Sequence, residues 1–364
     1  MRLGLVSPYA LNVFGGVQEQ VLAMSRELSR RGHEVVVVAP NSDDHDVYDT
    51  PARIERFGRL VSIRANGSRA PLTLSWAASR AASTILHDAA LDVVHFHEPF
   101  APVLGYAALR AHSTPAVATF HRSGGGFDVT LAGPLLSRWR HNIDVSVAVS
   151  ASAAETAARY DIDTEVLFNG FEIERFQAFE RIVPDIPTFV VIGRLEERKG
   201  VHVAIAALQE HVARHPEEPW QLVIVGDGPQ REELVRLAGT TPGIRFTGAV
   251  TDEEKRRWQR SASAALCPAL FGESFGLVIL EAMASEVPVV VSDIDGYRAA
   301  AGDCGYLFTP GDPFALHEVM KQALSPDPVA IAKAVAHARQ WSMSALVDRY
   351  EVLYERARQR FQAR

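Results

Sequence analysis

Short apolar runs rich in valine alternate with longer segments of helical periodicity along the chain. The first run, Leu3–Val6, is followed by an amphipathic segment over Val17–Arg31 that ends at Gly32. The runs do not alternate between apolar and polar residues, which is typical of parallel strands covered on both faces. We therefore predict an α/β protein built from repeated strand–helix units. The further strands predicted in the first half are Val35–Ala39, Val93–Phe96, Ala116–Thr119, Val145–Val149 and Glu165–Phe168.

A proline-bearing connector, Arg181–Pro187, separates this series from a second one. We predict a Rossmann-like domain over residues 1–184 and another over 185–343, with a final helix of about 344–364 that could pack on either. Parallel sheets bind ligands at the carboxyl ends of their strands, so two facing sheets would leave a cleft between the domains. The strands predicted in the second half are Thr188–Ile192, Leu222–Val225, Ile244–Phe246, Ala264–Leu266 and Val287–Val291.

The composition is that of an ordinary globular protein. The 364 residues are too many for one ordinary core, and 47% are hydrophobic while 22% are charged. A net charge of −7 argues against a nucleic-acid binder, and two cysteines exclude a disulfide framework. The first residues do not have the pattern of a signal peptide, and no apolar run reaches the ~18 residues of a spanning helix. These features predict a cytoplasmic protein.

The most informative segment contains two carboxylates, Glu273 and Glu281, which are eight residues apart. Between them, a short Ser-Phe-Gly sequence opens an apolar helix. The amino end of a helix offers unpaired N–H groups and a positive dipole end, both of which suit a phosphate. The second carboxylate lies about two turns later, where it could hold a ribose or sugar hydroxyl. This arrangement suggests a nucleotide-sugar site.

Three more loops follow predicted strands of the second half. Arg194 and Lys199 lie in a Gly193–Gly200 loop, where a guanidinium and an ammonium suit a diphosphate; the alternative is a solvated charged loop. Gly226-Asp227-Gly228 begins like a dinucleotide fingerprint but lacks its third glycine, so NAD binding is weakly indicated. Val250 and Asp252 follow another strand and could meet a base edge.

In the first half, Gly15 and Gly16 end the loop after the first strand, where a ligand phosphate could approach the backbone. His121 follows a predicted strand at a typical site position. His95, His97 and Glu98 cluster at another strand end. That cluster could bind a metal, but no fourth ligand is evident.

A hydrolase is a weaker alternative. Gly272–Gly276 matches the G-x-S-x-G nucleophile elbow, and Asp293 and His317 follow in the order of a catalytic triad. However, Pro268–Glu273 separate the serine from the preceding strand, whereas an elbow needs its serine at the strand-to-helix turn.

Together the motifs resemble those of retaining glycosyltransferases of family 4, which have the GT-B fold of two Rossmann-like domains facing across a cleft. The matching features occur in the family's order and span most of the chain. The N-terminal part is most similar to bacterial phosphatidylinositol mannosyltransferases. The matching features are Gly15-Gly16, His95–Glu98, His121, Asn169-Gly170, Gly193-Arg194, Lys199-Gly200, Gly226–Pro229 and Glu273 with Glu281.

The resemblance implies a catalytic set of His121, Arg194, Lys199 and Glu273. The two cations would stabilise the leaving diphosphate, the histidine would contact the transferred sugar, and Glu273 would bind sugar hydroxyls while Glu281 binds the ribose. It also implies a metal-independent reaction without a cofactor, in which a GDP- or UDP-sugar is the co-substrate. The implied donor-binding residues are Gly15, Gly16, Arg194, Lys199, Gly226, Val250, Asp252, Ser274, Phe275, Gly276, Leu277 and Glu281.

The acceptor side departs from the mannosyltransferases. Phe100 stands where they carry asparagine, and Arg122 begins a glycine-rich segment where they carry threonine and lysine. The segment matching their basic membrane-docking helix, Leu72–Leu86, has a single cation, so core packing is favoured there and weak membrane-surface association is the alternative. We predict mannose transfer from GDP-mannose to a lipid-linked or small-molecule hydroxyl. The candidate acceptor contacts are Tyr9, Asn12, Arg69, Phe100 and Arg122.

Two other classes share these features. A sugar-nucleotide epimerase of the same fold would need further acid–base groups. A non-catalytic nucleotide-sugar-binding protein would keep the cations without activity.

Overall fold

The computed structural model divides the chain into two compact units. One comprises Met1–Gly170 together with Met343–Arg364, and the other comprises Phe171–Ser342. The described residues are 1–12, 16–40, 48–57, 61–65, 68–72, 84–86, 90–101, 114–121, 137–182, 184–273 and 275–364, with the side chains of 61–65, 68–72 and 137–139 excepted.

The first unit contains a seven-stranded parallel sheet in the order β3-β2-β1-β6-β7-β8-β9. A separate antiparallel pair, β4 with β5, lies outside it. The central strands of the seven-stranded sheet are entirely buried, as expected when helices cover both faces. The strands are β1 (Arg2–Val6), β2 (Glu34–Pro40), β3 (Arg53–Phe57), β4 (Val61–Ala65), β5 (Ser68–Leu72), β6 (Val93–His97), β7 (Ala116–Phe120), β8 (Val145–Ala148) and β9 (Glu165–Val166).

The α-helices of this unit include α1 (Gly16–Arg30), α2 (Ala151–Ala158) and α11 (Met343–Gln362). After α1 the chain turns at Gly32, whose φ of 85° lies in the region that only glycine adopts readily. The last helix, α11, packs against α1 and β7 through an apolar face that buries Tyr350 and Tyr354. A short 3₁₀ helix covers Ser137–Asn142.

The second unit contains a six-stranded parallel sheet in the order β12-β11-β10-β13-β14-β15. This order is typical of Rossmann folds, in which the chain returns to the middle of the sheet and continues in the other direction. The reversal falls between β10 and β13. The strands are β10 (Thr188–Ile192), β11 (Gln221–Val225), β12 (Ile244–Gly248), β13 (Ala264–Cys267), β14 (Val289–Ser292) and β15 (Tyr306–Phe308).

Capping residues fix several helix starts in this unit. Thr251 and Glu254 form a capping box, and Asp312 and Asp327 accept bonds from the first N–H groups of their helices. The helices are α3 (Ile173–Gln177), α4 (Val201–Arg214), α5 (Arg231–Ala238), α6 (Asp252–Arg260), α7 (Leu277–Ala284), α8 (Asp295–Ala301), α9 (Pro313–Ala323) and α10 (Pro328–Arg339).

The structure confirms the two Rossmann-like domains and every predicted strand, with small differences at the ends. Unit boundaries differ from the predicted 184/185: the first unit ends at Gly170, because α3 buries Ile173 and Phe176 in the second core. Strands β3, β4, β5 and β15 were not predicted. No helix among the described residues is long and apolar enough to cross a membrane.

Candidate functional site

The strands at which the second sheet reverses, β10 and β13, are adjacent and parallel, with Phe189 beside Ala264. Their carboxyl ends therefore lie at the same edge. The loop after β10 carries Arg194 and Lys199, and the loop after β13 carries Glu273. Ligands of open α/β sheets bind at this point, so the topology supports a site where the sequence predicts one.

A chain of ion pairs joins the two loops. The Glu196 carboxylate accepts from Arg194 Nε at 2.9 Å and from Arg198 Nε at 3.0 Å. Glu273 Oε1 lies 2.5 Å from Arg198 Nη1 and 2.7 Å from Lys199 Nζ. Three cations thus meet two carboxylates, which leaves one positive charge at the edge of the sheet. The predicted Arg194, Lys199 and Glu273 lie together, whereas Arg198 was not predicted because its partner is distant in sequence.

Close backbone contact holds the first loop in place. Gly200 has a φ of 64°, and a Cβ there would lie 1.9 Å from the carbonyl oxygen of Pro268. The N–H of Leu270 donates to the carbonyl of Arg198 at 2.8 Å. These contacts fix the backbone on both sides of Lys199 against the loop that carries Glu273.

The Gly226–Gly228 turn packs on the same loop from its other side. A Cβ at Gly226 would lie 2.0 Å from the Gly193 carbonyl oxygen, and one at Gly228 would lie 2.4 Å from that of Leu195. The N–H of Leu195 donates to the Asp227 carbonyl at 3.0 Å. Both glycines are therefore explained by loop packing, and Gly226 supports the Arg194 loop whether or not it touches a ligand.

Helix α7 begins at the end of the Glu273 loop. Its N-cap, Gly276, has a φ of 89°, and a Cβ there would lie 2.7 Å from the Tyr297 ring. The ring of Phe275 lies against that of Trp341, tilted by 54° with 4.5 Å between ring centroids, and Leu277 packs against the core. Their side chains are structural, so any donor contact would come from backbone N–H groups. Ser274 lies outside the described residues.

A second charged group surrounds Glu281 on α7. Lys255 Nζ lies 3.3 Å from a Glu281 oxygen and 3.3 Å from one of Asp252. Burial lowers the pKa of Lys255, but the two carboxylates outweigh it and raise the pKa overall. Asp252 also accepts from Arg256 at 3.0 Å. Lys255 was not predicted, although its position one helical turn after Asp252 was a signal in the sequence.

His121 belongs to a stack of histidines in the first unit. His95 and His97 project from one face of β6, with ring centroids 4.3 Å apart. His97 Nδ1 lies 3.0 Å from His121 Nε2. Burial lowers the pKa of His121 to about 4 and that of His95 to about 3, so both rings are neutral near pH 7.

The structure gives no support to a metal at these histidines. His95 Nε2 contacts Thr119 Oγ1 at 2.7 Å, and its Nδ1 contacts the hydroxyl of Tyr354 at 2.9 Å. Within the described part of the chain, no group of three or more His, Cys, Asp or Glu side chains could hold a metal ion.

The predicted acceptor contacts have different outcomes. Phe100 is 6% exposed and its ring packs against Phe120 and Tyr160 in the core, so a contact between this residue and an acceptor stays a prediction. Asn12 is exposed and Tyr9 is partly buried. Gly16 begins α1, and no described atom lies within 4 Å of a Cβ built there. Gly15, Arg122 and the side chain of Arg69 lie outside the described residues.

The hydrolase alternative is wrong on geometric grounds. The His317 ring lies 5.4 Å from that of Trp220, which directly precedes β11 and marks the amino edge of the sheet. The Gly272–Gly276 loop follows β13 at the carboxyl edge. Because β11 and β13 run in the same direction, His317 lies at the opposite edge of the sheet from the described residues Gly272, Glu273 and Gly276 of that loop.

The fold and the charged edge of the second sheet define a glycosyltransferase of the GT-B class, and comparisons with known proteins agree. Residues 14–175 match the model "Glycosyltransferase Family 4", and residues 186–326 match "Glycosyl transferases group 1". The chain belongs to this glycosyltransferase family.

Curated relatives cover nearly the whole chain. The phosphatidyl-myo-inositol mannosyltransferase of Mycolicibacterium smegmatis is 36% identical over 94% of this chain and 91% of its own. The phosphatidyl-myo-inositol mannosyltransferase of Mycobacterium leprae is 33% identical over 98% of this chain and 96% of its own.

Solved structures share the fold at low identity. A glycosyltransferase from Rickettsia africae has a TM-score of 0.72 at 16% identity and covers 98% of both chains. Anabaena HepE, solved with UDP, has a TM-score of 0.67 at 16% identity and covers 97% of this chain and 100% of its own.

Proposed function

We propose that this enzyme transfers mannose from GDP-mannose to the hydroxyl of a lipid-linked or small-molecule acceptor, with retention of configuration and without a metal ion. The observation that carries the proposal is the trio of cations, Arg194, Arg198 and Lys199, at the reversal point of a parallel sheet beside the start of α7. The Mycolicibacterium smegmatis and Mycobacterium leprae relatives are mannosyltransferases by name, which supports mannose as the sugar.

The chemistry asked of these cations is stabilisation of a leaving group. The bond between the sugar's anomeric carbon and the diphosphate breaks as the acceptor oxygen bonds to that carbon on the same face. The acceptor's proton passes to the departing phosphate oxygen. Negative charge grows on the diphosphate, and pre-positioned cations and N–H groups stabilise it most where water is excluded. Lys199 and Arg194 supply the positive charge that stabilises the diphosphate, helped by the N–H groups at the start of α7.

The carboxylates would orient the donor. Glu273, held by Arg198 and Lys199, binds hydroxyls of the transferred sugar. Glu281, held by Lys255, binds the ribose, and Val250 and Asp252 lie near the base. No bound metal is required, because the diphosphate meets protein cations.

The acceptor is proposed in broader terms. The named relatives act on phosphatidyl-myo-inositol, which supports a lipid-linked hydroxyl as the acceptor. The enzyme would meet this lipid at the cytoplasmic face of a membrane. Tyr9, Asn12, Arg69 and Arg122 are the residues we propose to contact it, and Phe100, which is buried, would support them from the core. His121 contacts the transferred sugar.

A panel of nucleotide sugars tests the donor. A ligand that binds only the folded protein at one hundred times its dissociation constant adds about 2.7 kcal/mol to the free energy of unfolding. We expect GDP-mannose to raise the unfolding midpoint more than UDP-glucose or ADP-glucose does, equally well in EDTA. Stabilisation without transfer to phosphatidylinositol, sugar lipids or free sugars would indicate a non-catalytic binder, and interconversion of two nucleotide sugars would indicate an epimerase.

A further inference from the structure

Two consecutive residues hold His121 at two different points. The carboxylate of Glu98 accepts a hydrogen bond from the backbone N–H of His121 at 2.9 Å. The ring of His97 contacts the ring of His121, with 3.0 Å between Nδ1 and Nε2. Sheet register explains the pairing, since His97 lies opposite Thr119 on β7 and His121 follows Thr119 by two residues. We call this pair the His97–Glu98 clamp.

Glu98 adopts a backbone conformation that is unfavourable for its residue type. Its φ is 52°, in the left-handed region, which costs a residue with a side chain about 1 kcal/mol. Its N–H donates to the Thr119 carbonyl at 2.7 Å, and the residue is only 7% exposed. A buried carboxylate needs hydrogen-bond donors, and His121 supplies one of them. The strained turn thus directs a buried carboxyl group at the backbone N–H of His121.

His97 holds the side chain of His121, as Glu98 holds its backbone. It is 1% exposed, and burial lowers the pKa of both His97 and His121, so one N–H is shared between two neutral rings. His95 stacks on the other side of His97 and is itself fixed by Tyr354 and Thr119. The His97 ring is therefore held between the rings of His95 and His121. Since Nε2 of His121 is engaged, Nδ1 is the nitrogen left to meet a ligand, and it has no hydrogen bond to any described residue.

We propose that His97 and Glu98 are positioning residues for sugar transfer: they fix the ring of His121 in one tautomer and one orientation, so that Nδ1 alone faces the sugar. The inference rests on the proposed function, in which His121 contacts the transferred sugar. A displacement of about 1 Å at a reacting group can cost two orders of magnitude in rate, so such a support is expected to affect kcat.

Two matched pairs of variants test the clamp. His97→Asn places an amide where Nδ1 lies, whereas His97→Leu fills a similar volume without a polar atom. Glu98→Gln keeps an oxygen that can accept from the His121 N–H. Glu98→Asn tolerates the left-handed backbone but is too short to reach. Each variant is measured for kcat of mannose transfer and for the Kd of GDP, and the ring nitrogens of His121 are observed by ¹⁵N NMR.

In the wild type, the ring of His121 should show one protonated and one unprotonated nitrogen. His97→Leu and Glu98→Asn should lower kcat about ten-fold with the Kd of GDP unchanged. His97→Leu should also average the two His121 nitrogens, while His97→Asn and Glu98→Gln recover most of the rate.

Averaged nitrogens in the wild type, or an unchanged His121 spectrum and rate in His97→Leu, would overturn the proposal. If His97→Leu does not fold, the two Glu98 variants test the proposal. Equal kcat values for Glu98→Gln and Glu98→Asn would overturn the clamp. If the wild type transfers no sugar at all, the proposed function fails, whereas the NMR comparison still decides whether His97 fixes the ring.

Discussion

Removal of Lys199 is the sharpest perturbation of the donor site. Its Nζ lies 2.7 Å from Glu273, and its side chain is 22% exposed, so it is a partly desolvated cation on a rigid loop. Without it, two guanidinium groups face two carboxylates and the net positive charge of the cluster disappears. A pre-organised donor aimed at developing negative charge contributes about 3–4 kcal/mol to transition-state stabilisation. We therefore expect Lys199→Ala to lower kcat between about 100-fold and 1,000-fold.

The same substitution should change stability little. Glu273 keeps its contact with Arg198 at 2.5 Å, so no buried carboxylate is left without a partner. The loss should remain within about 1 kcal/mol, as for a partly exposed ion pair. Lys333→Ala is the matched control: Lys333 pairs with Asp303 at 2.5 Å on an exposed surface of the same unit, and its removal should leave transfer unchanged.

The assay is mannose transfer at saturating GDP-mannose, with the unfolding midpoint measured in parallel. A rate for Lys199→Ala within about three-fold of the wild type would refute the diphosphate role. Equal losses in Lys199→Ala and Lys333→Ala would show that the effect is general and not specific to the site.

Three more outcomes follow from the structure. Glu281→Gln should raise the KM for the donor about ten-fold with a smaller effect on kcat, because ribose contacts form equally in substrate and transition state; a change in kcat alone would contradict this. Gly276→Ala should lower the free energy of unfolding, measured in urea, by about 2 kcal/mol, because φ is 89° and a Cβ would lie 2.7 Å from the Tyr297 ring. Gly16→Ala should be tolerated, because no described atom lies within 4 Å of a Cβ there. Between about pH 6.5 and pH 4 the unfolding midpoint should fall as the pH falls, because burial lowers the pKa of His121 to about 4 and the unfolded chain binds more protons there; His121→Asn should flatten this dependence.

Much of the fold was predictable because both sheets are parallel and doubly covered. Runs such as Val35–Ala39 and Leu222–Val225 are apolar along their whole length, and they form β2 and β11. Strand β3, Arg53–Phe57, was missed because it lies at a sheet edge and three of its five residues are charged, so it has no continuous apolar run. Strand β15 has only three residues, too few for a pattern.

Residues of the candidate site were predictable where the sequence of a single loop by itself indicates ligand binding. Arg194, Lys199 and Glu273 follow strands, and the sheet brings them together. Arg198 was missed because it is one of several charges in its loop, and only the approach of Glu273 distinguishes it. Phe100 was named as an acceptor contact because it follows His97-Glu98-Pro99, where the resembled enzymes carry asparagine. Its ring packs with Phe120 and Tyr160, a contact that sequence position alone does not show.

Formation of GDP from GDP-mannose, measured together with the anomeric configuration of the product in the presence of EDTA, tests the central claim most directly. An acceptor-dependent release of GDP is expected, with an α-mannoside by ¹H NMR and a large loss in Lys199→Ala. The absence of nucleoside diphosphate release from GDP-, UDP- and ADP-sugars with every acceptor would contradict the proposed transferase activity. A β-mannoside would contradict retention.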